Sequence, residues 1–213
     1  LNNRVVQLDA LALPDHYYLD ESDVCFFAGE YTAGAGHAYS ATNQLILNFK
    51  KGVDTRGTAQ WPHKERAIAQ AASIFRGAIK SDVDVTFVPV PPSKSKQDPL
   101  YDDRMIRLLR TMCVGRPWTM RDMIIQEKSV EPAHKAVTRP TPSEVAENYR
   151  LDESMVEPTP QLLCIVDDVL TTGCHFKAVK GILTSRFPTT PVIGLFLARR
   201  VPKSVDASDF DSD

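Results

Sequence analysis

The chain has 213 residues, 43% hydrophobic and 24% charged, with a formal net charge of −2. This suits a folded protein of one large domain or two small ones, with apolar side chains enough for a full core. The near-neutral balance removes any global attraction to nucleic acid or an anionic membrane. No apolar run approaches the ~20 residues of a membrane span, and the first residues, LNNRVVQLDA, lack a secretory pattern. Cys25, Cys113, Cys164 and Cys174 form no C-x-x-C pair. That argues against structural zinc and a disulfide framework, and for a reducing cytoplasm.

Residues 1–32 read as irregular and then extended, with Val24, Phe26, Phe27 and Tyr31 in a short strand-like run. Ala33 to Ser40 contains Gly34-Ala35-Gly36, but Tyr39 stands where a dinucleotide loop needs its third glycine, so the stretch reads as a turn. Gln44 to Lys51 follows as a helix, with Lys50 and Lys51 in its last turn and Gly52 at C′. Lys64 to Lys80 is amphipathic through Ile68, Ala71, Ala72, Phe75 and Ile79. Lys64, Arg66, Arg76 and Lys80 then form its solvated face.

Val83 to Val90 is β-branched and reads as the first core strand, stopped by Pro91-Pro92. Asp98 and Pro99 suit the N-cap and N1 positions of a helix through Leu109. Trp118 to Ile125 reads as the second core strand. Residues 126–150 form a long connection of the kind that serves as a lid. Within it Thr141-Pro142-Ser143-Glu144 is a capping box, predicting a short helix over 142–149. Val192 to Ala198 is a further buried strand, and the acidic tail 205–213 reads as disordered. The alternation predicts an α/β fold: a mostly parallel sheet flanked by helices, in one domain over 1–204. Ligands of such sheets bind at the carboxyl ends of the strands.

The chemistry concentrates in Leu162 to His175, LLCIVDDVLTTGCH. An apolar strand ends in Asp167 and Asp168; Val169 and Leu170 lead to Thr171-Thr172-Gly173; a helix follows with Phe176, Val179, Ile182 and Leu183 on one face. A loop of small residues entering a helix aims backbone N–H groups at an anion. Two carboxylates repel phosphate and suit a neutral polyol such as ribose, with a divalent cation nearby. Together they describe a sugar phosphate. The plainer alternative, Asp168 as a helix cap, accounts for one acid and leaves the other unexplained.

At these residues the sequence resembles the type I phosphoribosyltransferases, whose signature is an apolar strand, two acids, two apolar residues, a small residue and Thr-Gly. The resemblance implies that Asp167 and Asp168 hold the ribose hydroxyls of phosphoribosyl pyrophosphate and its associated Mg²⁺. It implies that Thr171, Thr172, Gly173, Cys174 and His175 wrap the 5-phosphate. Pro92, Ser93 and Lys94 stand where that superfamily carries its pyrophosphate loop, with Lys96 and Arg104 as weaker candidates. A lid carrying Lys128, His134, Lys135 and Arg139 would shield an oxocarbenium-like transition state and meet the departing pyrophosphate, with Lys135 or Arg139 reaching in. Val88 to Pro92 (VPVPP) and Glu144 to Leu151 (EVAENYRL) are similar to the ComF-like branch, associated with DNA uptake. Its zinc finger and its Arg-Gly-Phe-Asn-Gln run are missing.

Two departures bear on chemistry. Thr171 stands where 6-oxopurine enzymes carry an acid. His175 stands where Thr is common, and as a protonated imidazole it would bind phosphate more tightly. Cys174 stands at a helix start, a place that can lower a thiol pKa, but nothing nearby suggests nucleophilic use. The implied activity is phosphoribosyl transfer to a small-molecule acceptor with release of pyrophosphate. The alternative is a protein that senses phosphoribosyl pyrophosphate or a nucleotide without turnover and acts through a partner in DNA uptake, DNA processing or defence. Related folds often dimerise, so a homodimer or protein partner is compatible. No basic run or aromatic stripe marks direct nucleic-acid binding.

Overall fold

The structure is a computed structural model that describes residues 4–130 and 140–202. Lys135, Arg139 and His134 of the expected lid, and the acidic tail, lie outside the described residues.

The central sheet contains seven strands. β1 (Val6–Gln7), β2 (Cys25–Phe27), β9 (Val192–Val201), β8 (Leu163–Leu170), β4 (Thr86–Pro89) and β5 (Thr119–Met120) follow in that spatial order; β3 (Glu30–Thr32) also pairs with β9. Every pairing is parallel except the antiparallel β1 on β2. Parallel strands buried on both faces read as apolar runs, and β4 and β8 are both of this type. On one face α1 (Ala41–Phe49), α2 (Trp61–Ala78) and α3 (Arg104–Cys113) close a core around Phe49, Phe75, Phe87, Leu108 and Leu197. On the other face α5 (Cys174–Arg186) packs Phe176, Val179 and Leu183 against Ile165 and Phe196.

Between β5 and β8 the chain leaves the sheet and builds a hood. β6 (Ile124–Gln126) and β7 (Tyr149–Leu151) pair antiparallel, and α4 (Pro142–Ala146) lies between them in sequence. The expected capping box is complete: the Thr141 hydroxyl accepts from Glu144 N–H, and the Glu144 carboxylate accepts from Thr141 N–H.

Several sequence expectations are corrected. The helix expected from Pro99 begins at Arg104, because Asp98 makes a turn instead, accepting from Leu100 N–H and from the Ser129 hydroxyl. The strand expected over Trp118–Ile125 is split between the main sheet and the hood, with the chain turning away at 121–123. Gly52 is not a left-handed C′ residue; α1 ends at Phe49 with Lys50 as its cap, and Gly52 sits at φ −65°. Lys64 is not on a solvated face: it is fully buried. Its ammonium donates to Phe49 O (3.2 Å), Lys51 O (2.6 Å) and Asp102 Oδ2 (2.6 Å). Arg76, half-buried, caps the end of α3 through the carbonyls of Met112 and Val114.

Candidate functional site

β8 pairs with β4 on one side and β9 on the other, so it lies inside the sheet. From β4 the chain runs outward to β5 through α3; from β8 it runs the opposite way, to β9 through α5. The region beyond the carboxyl ends of β4 and β8 is therefore the topological switch point, where open parallel sheets bind ligands. Asp167 and Asp168 stand on the β8 side. The Pro91-Pro92 turn stands on the β4 side, since pairing continues to Val90, whose N–H donates to Val166 O at 2.9 Å.

Successive strand side chains point to opposite faces, and the two acids have different neighbours accordingly. Asp168 is 3% exposed. Its Oδ1 accepts from Lys50 Nζ at 2.8 Å and its Oδ2 from Arg104 Nη2 at 2.7 Å. Arg104 in turn donates through Nη1 to Asp102 Oδ2 at 2.8 Å, and Asp102 holds Lys64. A chain of alternating charge, Lys50–Asp168–Arg104–Asp102–Lys64, thus ties the acid corner to α1, α2 and α3. Arg104 also lies over the Phe49 ring, 5.7 Å from its centroid.

Burial pushes the Asp168 pKa up, but Lys50 and Arg104 together outweigh it and hold the carboxyl well below the usual range. Asp167 moves the other way. Burial, with the Asp168 charge beside it, raises its pKa, and Lys50, Arg104 and the Asp168 N–H bond at 2.7 Å only partly offset this. The pair is thus one firmly ionised carboxylate and one that holds its proton more tightly.

The loop after β8 is built for a sharp reversal. Gly173 has φ +84°, and a Cβ there would stand 2.6 Å from Leu19 Cδ2. Residues 16–18 brace the loop from outside: His16 Nδ1 bonds Thr171 O, and Tyr18 N–H donates to Thr172 O at 3.0 Å. With those carbonyls turned outward, the N-terminal amides of α5, whose first helical bond is Lys177 N–H to Gly173 O, form the loop's donor end.

His175 and Cys174 differ from expectation. His175 is half-buried, and burial lowers its pKa even though Asp168 favours the charged form, so it is a neutral imidazole near pH 7 rather than a protonated phosphate clamp. Its Nδ1 meets the Tyr149 hydroxyl of the hood at 2.9 Å. The Cys174 thiol is pushed up to about 11 by burial and by Glu144, and it donates to Pro140 O at 3.2 Å. The helix start does not lower its pKa, and Cys174 is an inert, buried thiol that pins the hood to α5.

Pro92, Ser93 and Lys94 lie half-buried at the base of the hood, where Val130 N–H donates to Ser93 O at 2.8 Å and Ser95 N–H to the Ser129 hydroxyl at 3.1 Å. Lys96 pairs with Asp122 at 2.5 Å. Thr171 is exposed and Thr172 buried. Arg104, one of the weaker pyrophosphate candidates from sequence, pairs with Asp168 and Asp102. Sequence reading missed Lys50, Asp102 and Tyr149 as members of this corner. Lys64 carried a signal, since it lies on the same stripe as Ile68, Ala71 and Phe75.

Among the described residues, no group of three or more His, Cys, Asp or Glu side chains could hold a metal ion, and no helix is long and apolar enough to cross a membrane. No protein-family model matches the chain, and no curated protein matches it.

Proposed function

We propose that the chain is a phosphoribosyltransferase-like protein of the type I fold. It would bind phosphoribosyl pyrophosphate at the carboxyl ends of β4 and β8 and transfer the phosphoribosyl group to a small acceptor. The observation that carries this reading is the closeness, at the switch point, of the two acids near the end of β8, Asp168 standing two residues before its last residue Leu170, and a left-handed glycine turn opening α5. Phosphate is taken by the loop amides and the helix start. Asp167 and Asp168 accept from ribose hydroxyls. The ribose C1–oxygen bond to pyrophosphate breaks, and a bond from the acceptor forms at C1.

Asp167 and an Asp168 already matched by two cations are too few ligands for a protein-built Mg²⁺ cage. They fit an ion that arrives on the diphosphate, keeping phosphate oxygens and water as its other ligands. Such an ion would neutralise the leaving pyrophosphate. The neutral Tyr149–His175 pair, with the phenol pKa raised by burial and by Asp167, offers hydrogen bonding without net charge at the hood side.

The test is calorimetric titration of Mg²⁺ and phosphoribosyl pyrophosphate into the wild type and Asp167→Asn, followed by a screen of bases and other acceptors for pyrophosphate release. Binding that the folded variant loses supports the assignment. A folded wild type that binds no phosphoribosyl pyrophosphate refutes it. Binding without turnover across the acceptor screen would favour the sensing reading, which Thr171 in place of a catalytic acid already leaves open.

A further inference from the structure

Asp168 carries more positive charge than it needs. Arg104 alone would neutralise it, and Arg104 is held rigidly: its side chain is 18% exposed, its two terminal nitrogens are bonded to Asp102 and Asp168, and the Phe49 ring lies beneath it. Lys50 is different. Its side chain is 46% exposed, against 5% for Asp168, and its ammonium reaches the carboxylate from the end of α1, on a flexible four-carbon stem. In the chain Lys50–Asp168–Arg104–Asp102–Lys64, with Asp167 beside it under the influence of both Lys50 and Arg104, Lys50 is the most solvent-exposed member.

We propose that Lys50 is an exchangeable ammonium that leaves Asp168 when sugar hydroxyls take its place and then binds the anionic group on the ligand's C1 side. The proposal rests on the phosphoribosyl reading and deepens it. Ribose hydroxyls donating to Asp168 Oδ1 compete with Lys50 for the same oxygen, while Arg104 keeps Oδ2 and the carboxylate stays ionised. The displaced ammonium remains at the mouth of the site, where a diphosphate would supply a stronger partner than one carboxylate shared with Arg104. Recognition of the diol and recognition of the diphosphate are thereby coupled. A ligand with hydroxyls but no diphosphate must displace Lys50 without giving it a new partner. A ligand with both is rewarded twice.

The coupling predicts effects of opposite sign in one variant, which a merely structural lysine would not give. The full-length wild type, Lys50→Met and Lys50→Arg are titrated calorimetrically with phosphoribosyl pyrophosphate and with ribose 5-phosphate, both with Mg²⁺. In Lys50→Met, phosphoribosyl pyrophosphate should bind about 10- to 100-fold more weakly, the worth of a charge-assisted contact. Ribose 5-phosphate should bind more tightly than to wild type, its competitor for Asp168 having gone. Lys50→Arg should recover most of the diphosphate affinity. Equal weakening of both ligands, or no change in either, overturns the exchange while leaving the phosphoribosyl reading standing. A folded wild type that binds neither ligand removes both.

Discussion

The buried Lys64 offers the sharpest energetic test of how the acid corner is supported. Its three acceptors are two α1-end carbonyls and Asp102, and its side chain is fully buried. Burial lowers its pKa, and the Asp102 carboxylate is the chief influence holding it charged. Removing that carboxylate by Asp102→Ala leaves an ammonium in the core with only two neutral acceptors, and leaves Arg104 with Asp168 alone. Stripping one partner from a buried pair costs about 3–5 kcal/mol. For a chain of this size each kcal/mol shifts the melting temperature by about 2–4 °C, so the fall should be on the order of 10 °C. Lys64→Met removes the charge along with the bonds and keeps an unbranched stem of similar length. It should cost less, about 1–3 kcal/mol, chiefly for two carbonyls left without their donor. The decisive quantity is the double variant. Asp102→Ala/Lys64→Met should be more stable than Asp102→Ala alone, because the stranded charge is gone. Urea denaturation at neutral pH, with two probes to check two-state behaviour, measures all four corners of the cycle. A double variant no more stable than Asp102→Ala would refute the claim that a stranded ammonium causes the loss.

Three further outcomes follow from the site geometry. Because the folded state raises the Asp167 pKa, it binds more protons than the unfolded chain once pH exceeds about 4, so Asp167 should make stability fall as pH rises from there through its raised value; Asp167→Asn should flatten that slope in urea melts taken across the window. Gly173→Ala meets both a left-handed backbone and a Cβ position 2.6 Å from Leu19 Cδ2, and should cost about 1–3 kcal/mol together with ligand affinity; a melt within 1 °C of wild type would contradict the turn. Cys174, with its thiol raised to about 11 and the sulfur bonded to Pro140 O, should resist iodoacetamide at pH 7.5 in the folded protein and react on unfolding; rapid native labelling of Cys174, read by peptide mass spectrometry, would disprove the burial.

What sequence reading recovers is what is written in neighbouring residues. The strand–acid–turn–helix run is contiguous, and so is the capping box at Thr141, so both appear where expected. The periodic apolar faces of α2 and α5 are equally local. Failures occur where a distant partner decides. Asp98 looks like a helix cap until Ser129, thirty-one positions away, takes its carboxylate. The apolar run from Trp118 cannot tell which of two sheets will receive it, and it is divided between them. Lys50 lies at a helix end, where dipole arguments already explain a cation, so nothing in its neighbourhood announces Asp168, 118 positions later. Lys64 is the instructive case: a lysine in register with Ile68, Ala71 and Phe75 asks for a buried partner, and Asp102 supplies it.

The bracing of the turn by His16 and Tyr18 has a kinetic consequence. A cradle whose carbonyls are already tied back has little conformational freedom to surrender when an anion arrives, so the entropic toll of capture is small on that side. The ion-paired acid opposite must instead rearrange. A sugar phosphate would then dock phosphate first, at a rate set by diffusion and orientation, and settle its hydroxyls in a slower second phase. Stopped-flow traces would separate the two by their concentration dependence: the first rises with ligand, and the second levels off.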